Sequence, residues 1–234
     1  MSEFAISCKG IKKVFQNEYS KVEALKGVDL DINSGEIFML VGPSGSGKTT
    51  LISIIAGILN QTEGQCLLYG KDLNNMQQPA KTIYRGKNVG FVFQAFNLIP
   101  MLNCEENVAI PLIINGIDKK EAIEQAQKVL KDLNMEDKIK AYPHHLSGGQ
   151  QQRVAIARSY IHSPKIIVCD EPTSSLDAET GRSVLKILKE KVLTKDRSII
   201  IVTHDSRIFE YGDKIAKIDD GKIISIESNH HNLV

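Results

Sequence analysis

The sequence predicts an α/β fold whose sheet is mainly parallel. Four short runs are apolar without alternation, which is typical of strands covered on both faces. These runs are residues 36–41, 89–93, 166–169 and 199–202. Segments with helical spacing of apolar residues lie between them, and strands that alternate with helices indicate parallel strands joined by helical crossovers.

The two ends of the chain carry a different β pattern. Residues 4–32 and 63–70 mix short β patterns with glycines, which predicts an antiparallel segment beside the parallel sheet. Near the carboxyl end, Asp219-Asp220-Gly221 is a turn signal between the runs 214–218 and 222–226. We therefore expect a β-hairpin there.

Helical periodicity is clearest in two segments. In 121–133, residues such as Ala122, Ala126 and Leu130 share one helical face, and 183–192 has a similar apolar face. The stretch 95–162 reads as mostly helical, so we interpret it as an inserted helical subdomain. The remaining parts of a single domain 1–234, residues 1–94 and 163–234, form the core with its β segment.

Composition is that of an ordinary globular protein. The chain has 234 residues, 42% hydrophobic and 24% charged, with a net charge of +1. No strong overall field attracts nucleic acid or anionic lipid, so no nucleic-acid partner is expected. The four cysteines stand far apart in the chain without a C-x-x-C pair, which argues against a metal site or a disulfide framework and is compatible with a reducing compartment. They are Cys8, Cys66, Cys104 and Cys169.

No segment has the pattern of a leader or a membrane span. The amino terminus lacks a basic start followed by an apolar run, so no signal peptide is predicted. The most apolar stretch, 51–59, is only nine residues long, whereas a helix that spans a bilayer needs about 20. We expect no direct membrane insertion, and we interpret His230-His231 as a solvated tail rather than a metal ligand.

The first functional motif is a glycine-rich loop that matches G-x-x-x-x-G-K-[ST]. It consists of Gly42, Pro43, Ser44, Gly45, Ser46, Gly47, Lys48 and Thr49. The strand 36–41 runs into it and Thr50 continues into a helix, so its backbone N–H groups and the helix amino terminus can bind phosphate. Lys48 is expected to reach the β and γ phosphates, and the Thr49 hydroxyl to bind Mg²⁺. The alternative is a glycine-rich turn with a chance lysine.

The second motif is a buried strand that ends in two carboxylates, Asp170 and Glu171. Asp170 is placed to hold the magnesium shell, and Glu171 to accept a proton from the attacking water. Taken alone, a strand that ends in Asp-Glu is better interpreted as a solvated strand end. The phosphate loop upstream is what makes a catalytic role the better interpretation.

The third motif is Leu146-Ser147-Gly148-Gly149-Gln150. A Ser-Gly-Gly sequence that opens a helix is a second anion-binding terminus, with free N–H groups and a hydroxyl. The same residues also describe a plain capped helix start. Because the chain already has a phosphate loop, local physics leaves both interpretations open.

In this order, the three motifs resemble the ABC ATPase family over nearly the whole chain, and Leu146 to Gln150 is similar to that family's signature. Gln94 resembles the Q-loop glutamine and His204 the switch histidine. Residues 174–177, which end in Asp177, resemble the D-loop, with Ser175 where alanine is more usual. The resemblance implies a P-loop NTPase fold with a RecA-like core.

The resemblance also suggests where adenine binds. Phe15 lies where the family places an aromatic ring under the base, and Tyr19 is its nearest alternative. A lone aromatic residue near a strand end is usually part of the core, so this assignment depends mainly on position.

The resemblance implies a mechanism shared by two copies of the chain. Two ATPase domains pack head to tail, so that Ser147 and Gly149, with their neighbours Gly148 and Gln150, contact the γ-phosphate held by the other copy. In its own copy, Gln94 joins Thr49 and Asp170 at Mg²⁺ and senses the membrane partner. Glu171 is the general base, and His204 holds the γ-phosphate and the water in line. ATP and Mg²⁺ are the implied cofactors.

The implied setting is the cytoplasmic face of the cell membrane, with the chain bound peripherally to transmembrane permease subunits. Residues 95–112, 146–158 and 202–208 look most like the macrolide-efflux, lipoprotein-releasing and heterocyst-glycolipid export branch (MacB/LolD/DevA-like). The chain ends soon after the hairpin, so no regulatory domain is expected. The apolar segment 95–117 is either a groove for a permease helix or ordinary core.

Three alternatives remain at this stage. Polar amino-acid import ATPases share the signature and the Phe-Asn-Leu stretch. A non-transport ABC ATPase acting on DNA or the ribosome is disfavoured, because the interval between Lys48 and Asp170 is too short for a coiled coil and only one cassette is present. A small-molecule kinase would have no use for the Leu146 to Gln150 motif.

Overall fold

The structure is a computed structural model that describes residues 4–17 and 19–229. The His230-His231 interpretation therefore lies outside the described residues. The strands are β1 Ile6–Gln16, β2 Lys21–Ile32, β3 Ile37–Val41, β4 Glu63–Leu68, β5 Lys71–Asp72, β6 Val89–Val92, β7 Ile166–Asp170, β8 Ser198–Thr203, β9 Lys214–Asp219 and β10 Lys222–Ser228. The α-helices are α1 Lys48–Ile55, α2 Ala80–Asn88, α3 Cys104–Ile114, α4 Lys119–Asp132, α5 Gly148–Tyr160 and α6 Ala178–Ile187.

The central sheet has six strands in the order β10-β9-β3-β8-β7-β6. β3 is parallel to β8 and β9, and β7 is parallel to β6 and β8, whereas β9 and β10 form an antiparallel hairpin. All five residues of β3 are buried, as expected for a strand covered on both faces. The predicted α/β fold with a mainly parallel sheet is confirmed, and so is the hairpin.

A second sheet is antiparallel and has the order β2-β1-β4-β5. Ile6 on β1 faces Ile32 on β2 and Leu68 on β4. This sheet confirms the predicted antiparallel β segment. It packs on the face of the central sheet that also carries α1, where Phe38, Leu51 and neighbouring apolar residues are fully buried.

Two of the four cysteines are neighbours in space. Cys8 and Cys66 are 58 positions apart in the chain, but they are directly opposite each other on β1 and β4, with 3.3 Å between their sulfur atoms. The hydrogen bond to Cys66 and burial raise the pKa of the Cys8 thiol. All four cysteines are free and buried. Strand pairing brings these two thiols together, and spacing in the sequence could not reveal it.

The opposite face of the central sheet is covered by α6 and by the helical turns that follow it. Val184 and Leu188 pack there against Met39 and Ile201, which confirms the predicted apolar face of 183–192. The sequence did not indicate that Leu188–Val192 is a π-helical turn. The wider turn buries both ends of this segment in the same core.

Helices α3, α4 and α5 share a third core, which contains the predicted apolar face of 121–133. α5 also lies directly on β6, because a Cβ atom at Gly90 would be 2.0 Å from the carbonyl oxygen of Ser159. Only glycine permits that approach. Within the described residues, no helix combines the length and the apolar composition needed to cross a bilayer.

Candidate active site

The main cavity lies at the carboxyl ends of the parallel strands. β3, β6, β7 and β8 run in one direction, so the residues that follow them meet at a single edge of the sheet. The cavity has a volume of about 620 Å³. It is lined by Ala24, Pro43, Ser44, Gly45, Gly47, Lys48, Thr49, Thr50, Gln94, Asp170, Glu171, Val202 and His204.

The glycine-rich loop between β3 and α1 forms the floor of this cavity. Gly47 caps α1 with a φ of 100°, a left-handed conformation that glycine adopts without strain. The N–H groups of the first turn of α1 have no acceptor within the helix, so they can bind an anion. The Ser46 hydroxyl is buried and has no hydrogen-bond partner among the described residues. The loop therefore has the donors that a phosphate chain requires.

Lys48 begins α1 and is almost completely buried, with 8% of its surface exposed. Its Nζ donates to the carbonyl oxygens of Gly42 at 2.8 Å and Pro43 at 2.7 Å. The ion pairs found within the described part of the chain do not include Lys48. Two neutral acceptors hold the ammonium group, so its positive charge remains available to a phosphate.

Asp170 and Thr49 contact each other in the lining of the cavity. The Thr49 hydroxyl donates a hydrogen bond to the Asp170 carboxylate. Burial and the neighbouring Glu171 charge raise the pKa of Asp170, and the contact with Thr49 and the charge of Lys48 oppose that shift. A bound divalent cation would stabilise the ionised carboxylate, as the Thr49 contact and the Lys48 charge do.

The residues present suit a magnesium ion. Thr49, Asp170 and Gln94 contribute a hydroxyl, a carboxylate and an amide oxygen to one cavity, and Mg²⁺ prefers oxygen ligands of this kind. Among the residues in ranges 4–17 and 19–229, no three His, Cys, Asp or Glu side chains form a metal-binding group. This donor set matches Mg²⁺ sites in which substrate phosphates and water complete the shell.

Glu171 and His204 form the second chemical element of the cavity. His204 Nδ1–H donates to Glu171 Oε1 at 2.7 Å. The Glu171 side chain is only 12% exposed, whereas that of His204 is 68% exposed. A carboxylate held by an imidazole at the mouth of a phosphate site can accept a proton from a water molecule.

The backbone at Glu171 is unusual. Its φ is 49°, in the left-handed region that non-glycine residues seldom adopt. Its N–H donates to the Val202 carbonyl at 3.0 Å, and its carbonyl accepts from the Ser174 N–H and hydroxyl at 3.2 and 3.0 Å. Strained conformations of this kind are concentrated at functional sites.

The Leu146 to Gln150 motif forms a capped helix start outside this cavity. Ser147 accepts from the Gln150 N–H at 3.3 Å, while the Gln150 side chain accepts from the Ser147 N–H at 2.9 Å. This is a capping box at the start of α5. Ser147 is exposed, and the cavity lining within the described chain includes none of Ser147, Gly148, Gly149 and Gln150.

Asp177 is the amino-terminal cap of α6. It accepts from the N–H groups of Glu179 and Thr180 at 3.0 Å, and the contacts with Thr180 lower the pKa of its carboxyl group. Leu176 packs close to Gly148, since a Cβ at that glycine would be 3.4 Å from the leucine side chain. The predicted D-loop and signature segments are therefore neighbours within one chain.

Phe15 and Tyr19 are exposed and do not line the cavity in the described part of the chain. Phe15 is 44% exposed near the end of β1, and Lys13 Nζ lies 5.0 Å from the centre of its ring. Tyr19 is 92% exposed. Ala24 on the adjacent β2 does line the cavity, so the antiparallel sheet borders it.

Sequence reasoning missed the role of Arg158 in holding the segment after Gln94. The Arg158 guanidinium donates to the carbonyl oxygens of Phe96 at 2.8 Å and Asn97 at 2.7 Å. Both acceptor residues have positive φ, 60° and 48°. This contact depends on the backbone conformation of Phe96 and Asn97, which the sequence around Arg158 does not predict.

Comparison with known proteins gives one consistent result. The family profile described as ABC transporter matches residues 25–174. A "Putative hemin import ATP-binding protein HrtA" from Staphylococcus haemolyticus is 42% identical over 219 residues, which cover 94% of this chain and 99% of that protein. An "Uncharacterized ABC transporter ATP-binding protein MJ1508" from Methanocaldococcus jannaschii is also 42% identical, over 94% of this chain and 98% of its own.

Two solved structures of the ATP-binding cassette MJ0796 have the same fold. One is described as a dimeric post-hydrolysis state bound to ADP and Pi, with a TM-score of 0.86 and 36% identity, over 95% of this chain and 98% of that chain. The other is described as the dimeric structure of a bacterial ABC transporter cassette, with a TM-score of 0.86 and 37% identity over the same shares.

Proposed function

Since the chain belongs to the ABC transporter ATP-binding family and is an ATPase, we propose that two copies of it share two ATP molecules and drive a separate membrane permease. The observation that carries this proposal is the grouping of Lys48, Glu171 and His204 around one cavity while the Ser147 helix start lies outside it. The cavity has a phosphate loop and a base, and the Ser147 helix start outside it is a second anion-binding terminus. We propose that the helix start of one copy completes the cavity of the other.

In the proposed mechanism, the loop 42–47 and the first turn of α1 bind the phosphate chain of ATP. Lys48 exchanges its contacts with Gly42 and Pro43 for the β and γ phosphates. Mg²⁺, held by Thr49, Asp170 and Gln94, would neutralise charge on the phosphates. Phe15 supports the adenine ring, with Tyr19 as the alternative.

Hydrolysis then depends on Glu171 and His204. Glu171 orients the water and accepts its proton, and His204 fixes that carboxylate and contacts the γ-phosphate. Positioning and electrostatics supply most of the catalysis in phosphoryl transfer. The hydrogen bond of 2.7 Å between the two side chains supports this assignment, because it restricts the base to one orientation.

The proposed dimer places Ser147 and Gly149 of one copy on the γ-phosphate of the other, with Asp177 near the same interface. The capping box uses the Gln150 N–H and one acceptor at Ser147, but it leaves the Ser147 hydroxyl proton and the N–H groups of Gly148 and Gly149 available. Loss of the γ-phosphate after hydrolysis removes this bridge, so the dimer opens. That opening is the step coupled to the permease.

A mixing experiment tests the shared site. Lys48→Ala and Ser147→Arg should each abolish ATPase activity alone. Mixed dimers keep one intact site, formed by the Lys48 of one copy and the Ser147 of the other. We expect an equimolar mixture to recover about a quarter of the wild-type rate, since about half of the dimers are mixed and each has one intact site.

The control for this experiment is a mixture of Lys48→Ala with Glu171→Gln. Those substitutions lie in the same half-site, so each of the two sites in their mixed dimer carries one of them, and no activity should be recovered. No recovery in the Lys48 and Ser147 mixture, or equal recovery in both mixtures, would contradict the sharing of one site by two copies.

A permease partner is supported by an apolar surface on the helical part of the chain. The segment 95–117 divides into two groups: Val108 and Leu112 belong to the buried core, whereas Ile99 is 43% and Met101 is 87% exposed. Ile114 on the same helix as Val108 is 75% exposed. We propose that these exposed apolar side chains belong to the surface that binds the permease.

Capture from membranes tests the partner. The tagged wild-type chain, expressed in its native host, should copurify with a membrane permease from detergent-solubilised membranes. The Met101→Asp variant should capture much less permease than the wild-type chain while keeping its ATPase activity. Ile226→Asp, at an exposed apolar residue on β10, is the matched control and should retain both. Equal capture by Met101→Asp and wild type would show that the permease binds elsewhere.

The transported substrate is the most specific part of the proposal. The stretch 95–112 favours the MacB/LolD/DevA-like branch, and with it export or release of a lipid, lipoprotein, peptide or drug. The relative named for hemin import, at 42% identity over 94% of the chain, favours hemin as a second candidate. Vesicles reconstituted with the captured permease and loaded with either class of molecule would distinguish the two by ATP-dependent flux.

A further inference from the structure

Gln152 occupies a buried position between α5 and the loop that contains Glu171. It is the fifth residue of α5 and only 1% exposed. Its Nε2 donates to the Pro172 carbonyl oxygen at 2.8 Å. Pro172 directly follows Glu171, so one hydrogen bond connects the signature helix with the backbone of the proposed base.

The other end of the Gln152 amide has no partner. Its Oε1 is buried and accepts no hydrogen bond from any described residue. An unpaired buried acceptor costs stability, so packing alone would favour an apolar side chain of the same shape at this position. The only hydrogen bond found for this buried amide among the described residues is therefore the one that its Nε2 donates to Pro172.

The donor acts on a strained segment. Glu171 has a φ of 49°, and such a conformation persists only where the surroundings fix it. On the amino-terminal side of the residue, its N–H is fixed to the Val202 carbonyl. On the carboxyl-terminal side of Glu171, the Gln152 side chain donates to the Pro172 carbonyl oxygen. The carboxylate is therefore oriented by contacts on both sides.

Ser147, the amino-terminal cap of the same helix, lies five residues before Gln152. In an α-helix this separation corresponds to about 7.5 Å along the axis, within one rigid element. Any displacement of α5 when Ser147 engages a phosphate is therefore transmitted to the Pro172 carbonyl. Gln151 lies beside Gln152 but points elsewhere, because its Nε2 donates to the Leu146 carbonyl at 3.2 Å.

We propose that Gln152 is a positioning residue that links the signature helix to Glu171 of the same chain. When Ser147 binds the nucleotide of the other copy, the Gln152 hydrogen bond sets the orientation of Glu171 over the nucleotide of its own copy. The two sites of a dimer are then coupled. This inference rests on the roles proposed above for Glu171 and Ser147.

The test compares Gln152→Met with Gln151→Met in the full-length chain. Gln152→Met keeps the length of the side chain and removes the donor. We expect kcat to fall about tenfold with KM for ATP changed less than about twofold, because placement of the base affects the transition state and not ATP binding. Gln151→Met should change kcat less than about twofold. A Gln152→Leu variant repeats the measurement if Gln152→Met folds poorly.

A second measurement separates positioning from a structural role. In a Glu171→Gln background, Gln152→Met should leave the residual rate unchanged, since the group it orients is absent. The inference is overturned if Gln152→Met lowers the rate equally in both backgrounds, raises KM with kcat unchanged, or has no effect. If Glu171→Gln itself hydrolyses ATP at the wild-type rate, the proposed role of Glu171 fails instead.

Discussion

Glu171→Gln is expected to lower ATP hydrolysis at least a hundredfold while a stable ATP-bound dimer accumulates. General-base catalysis typically contributes about 10²–10⁴-fold, and the amide cannot accept the proton of the attacking water. The substitution keeps the size of the side chain and an oxygen that can still accept from His204. The phosphate contacts of Lys48 and Thr49 are unchanged, so ATP is still bound.

The measurement is steady-state phosphate release together with size-exclusion chromatography in ATP and Mg²⁺. The wild-type chain should return to monomer as ATP is consumed, whereas Glu171→Gln should elute as a dimer. Glu179→Gln, at an exposed glutamate on α6, is the matched control and should behave as wild type. A monomer in ATP for Glu171→Gln would be evidence against the shared nucleotide site.

Lys48→Ala is expected to weaken ATP binding at least about a hundredfold. A hydrogen bond to a charged group contributes about 1.5–3 kcal/mol, and Lys48 would contact two phosphates. The substitution also removes the two contacts that connect α1 with the backbone of Gly42 and Pro43. The phosphate loop would then lose both its charge and part of its support.

Isothermal titration calorimetry with ATP and Mg²⁺ measures this effect directly. Lys87→Ala, at an exposed lysine on α2, serves as the control and should bind ATP with wild-type affinity. Thermal unfolding of both variants without nucleotide shows whether they remain folded. Undiminished affinity in a folded Lys48→Ala chain would refute the assignment of Lys48 to the phosphates.

Local sequence determined the main fold and the position of the phosphate loop. Continuous apolar runs favour strands that are covered on both faces, and those runs became β3, β6, β7 and β8. Because all four strands are parallel, the residues after each of them meet at one edge. Lys48, Asp170 and Glu171 were assigned from their own motifs, and Gln94 and His204 from the resemblance to the ABC ATPase family. The shared edge of the sheet explains why all five line one cavity.

Some features depend on contacts between segments that are distant in the sequence. The pairing of β1 with β4 brings the sulfur of Cys8 within 3.3 Å of that of Cys66, although the two residues are 58 positions apart in the chain. The strained backbone at Glu171 and the bond from Gln152 to Pro172 arise from the packing of α5 against the loop after β7. No local pattern encodes such contacts, because each depends on the register of one element against another.

The sequence by itself determined the residue types, their order and the strand ends at which they lie, since burial and backbone preference act over a few neighbouring residues. Only the tertiary structure decided how Glu171 is oriented, which side chains hold it, and that the Ser147 helix start lies outside the cavity of its own chain. The physical reason is that orientation results from long-range packing and from hydrogen bonds between separate elements, where differences below 1 Å decide which partners meet.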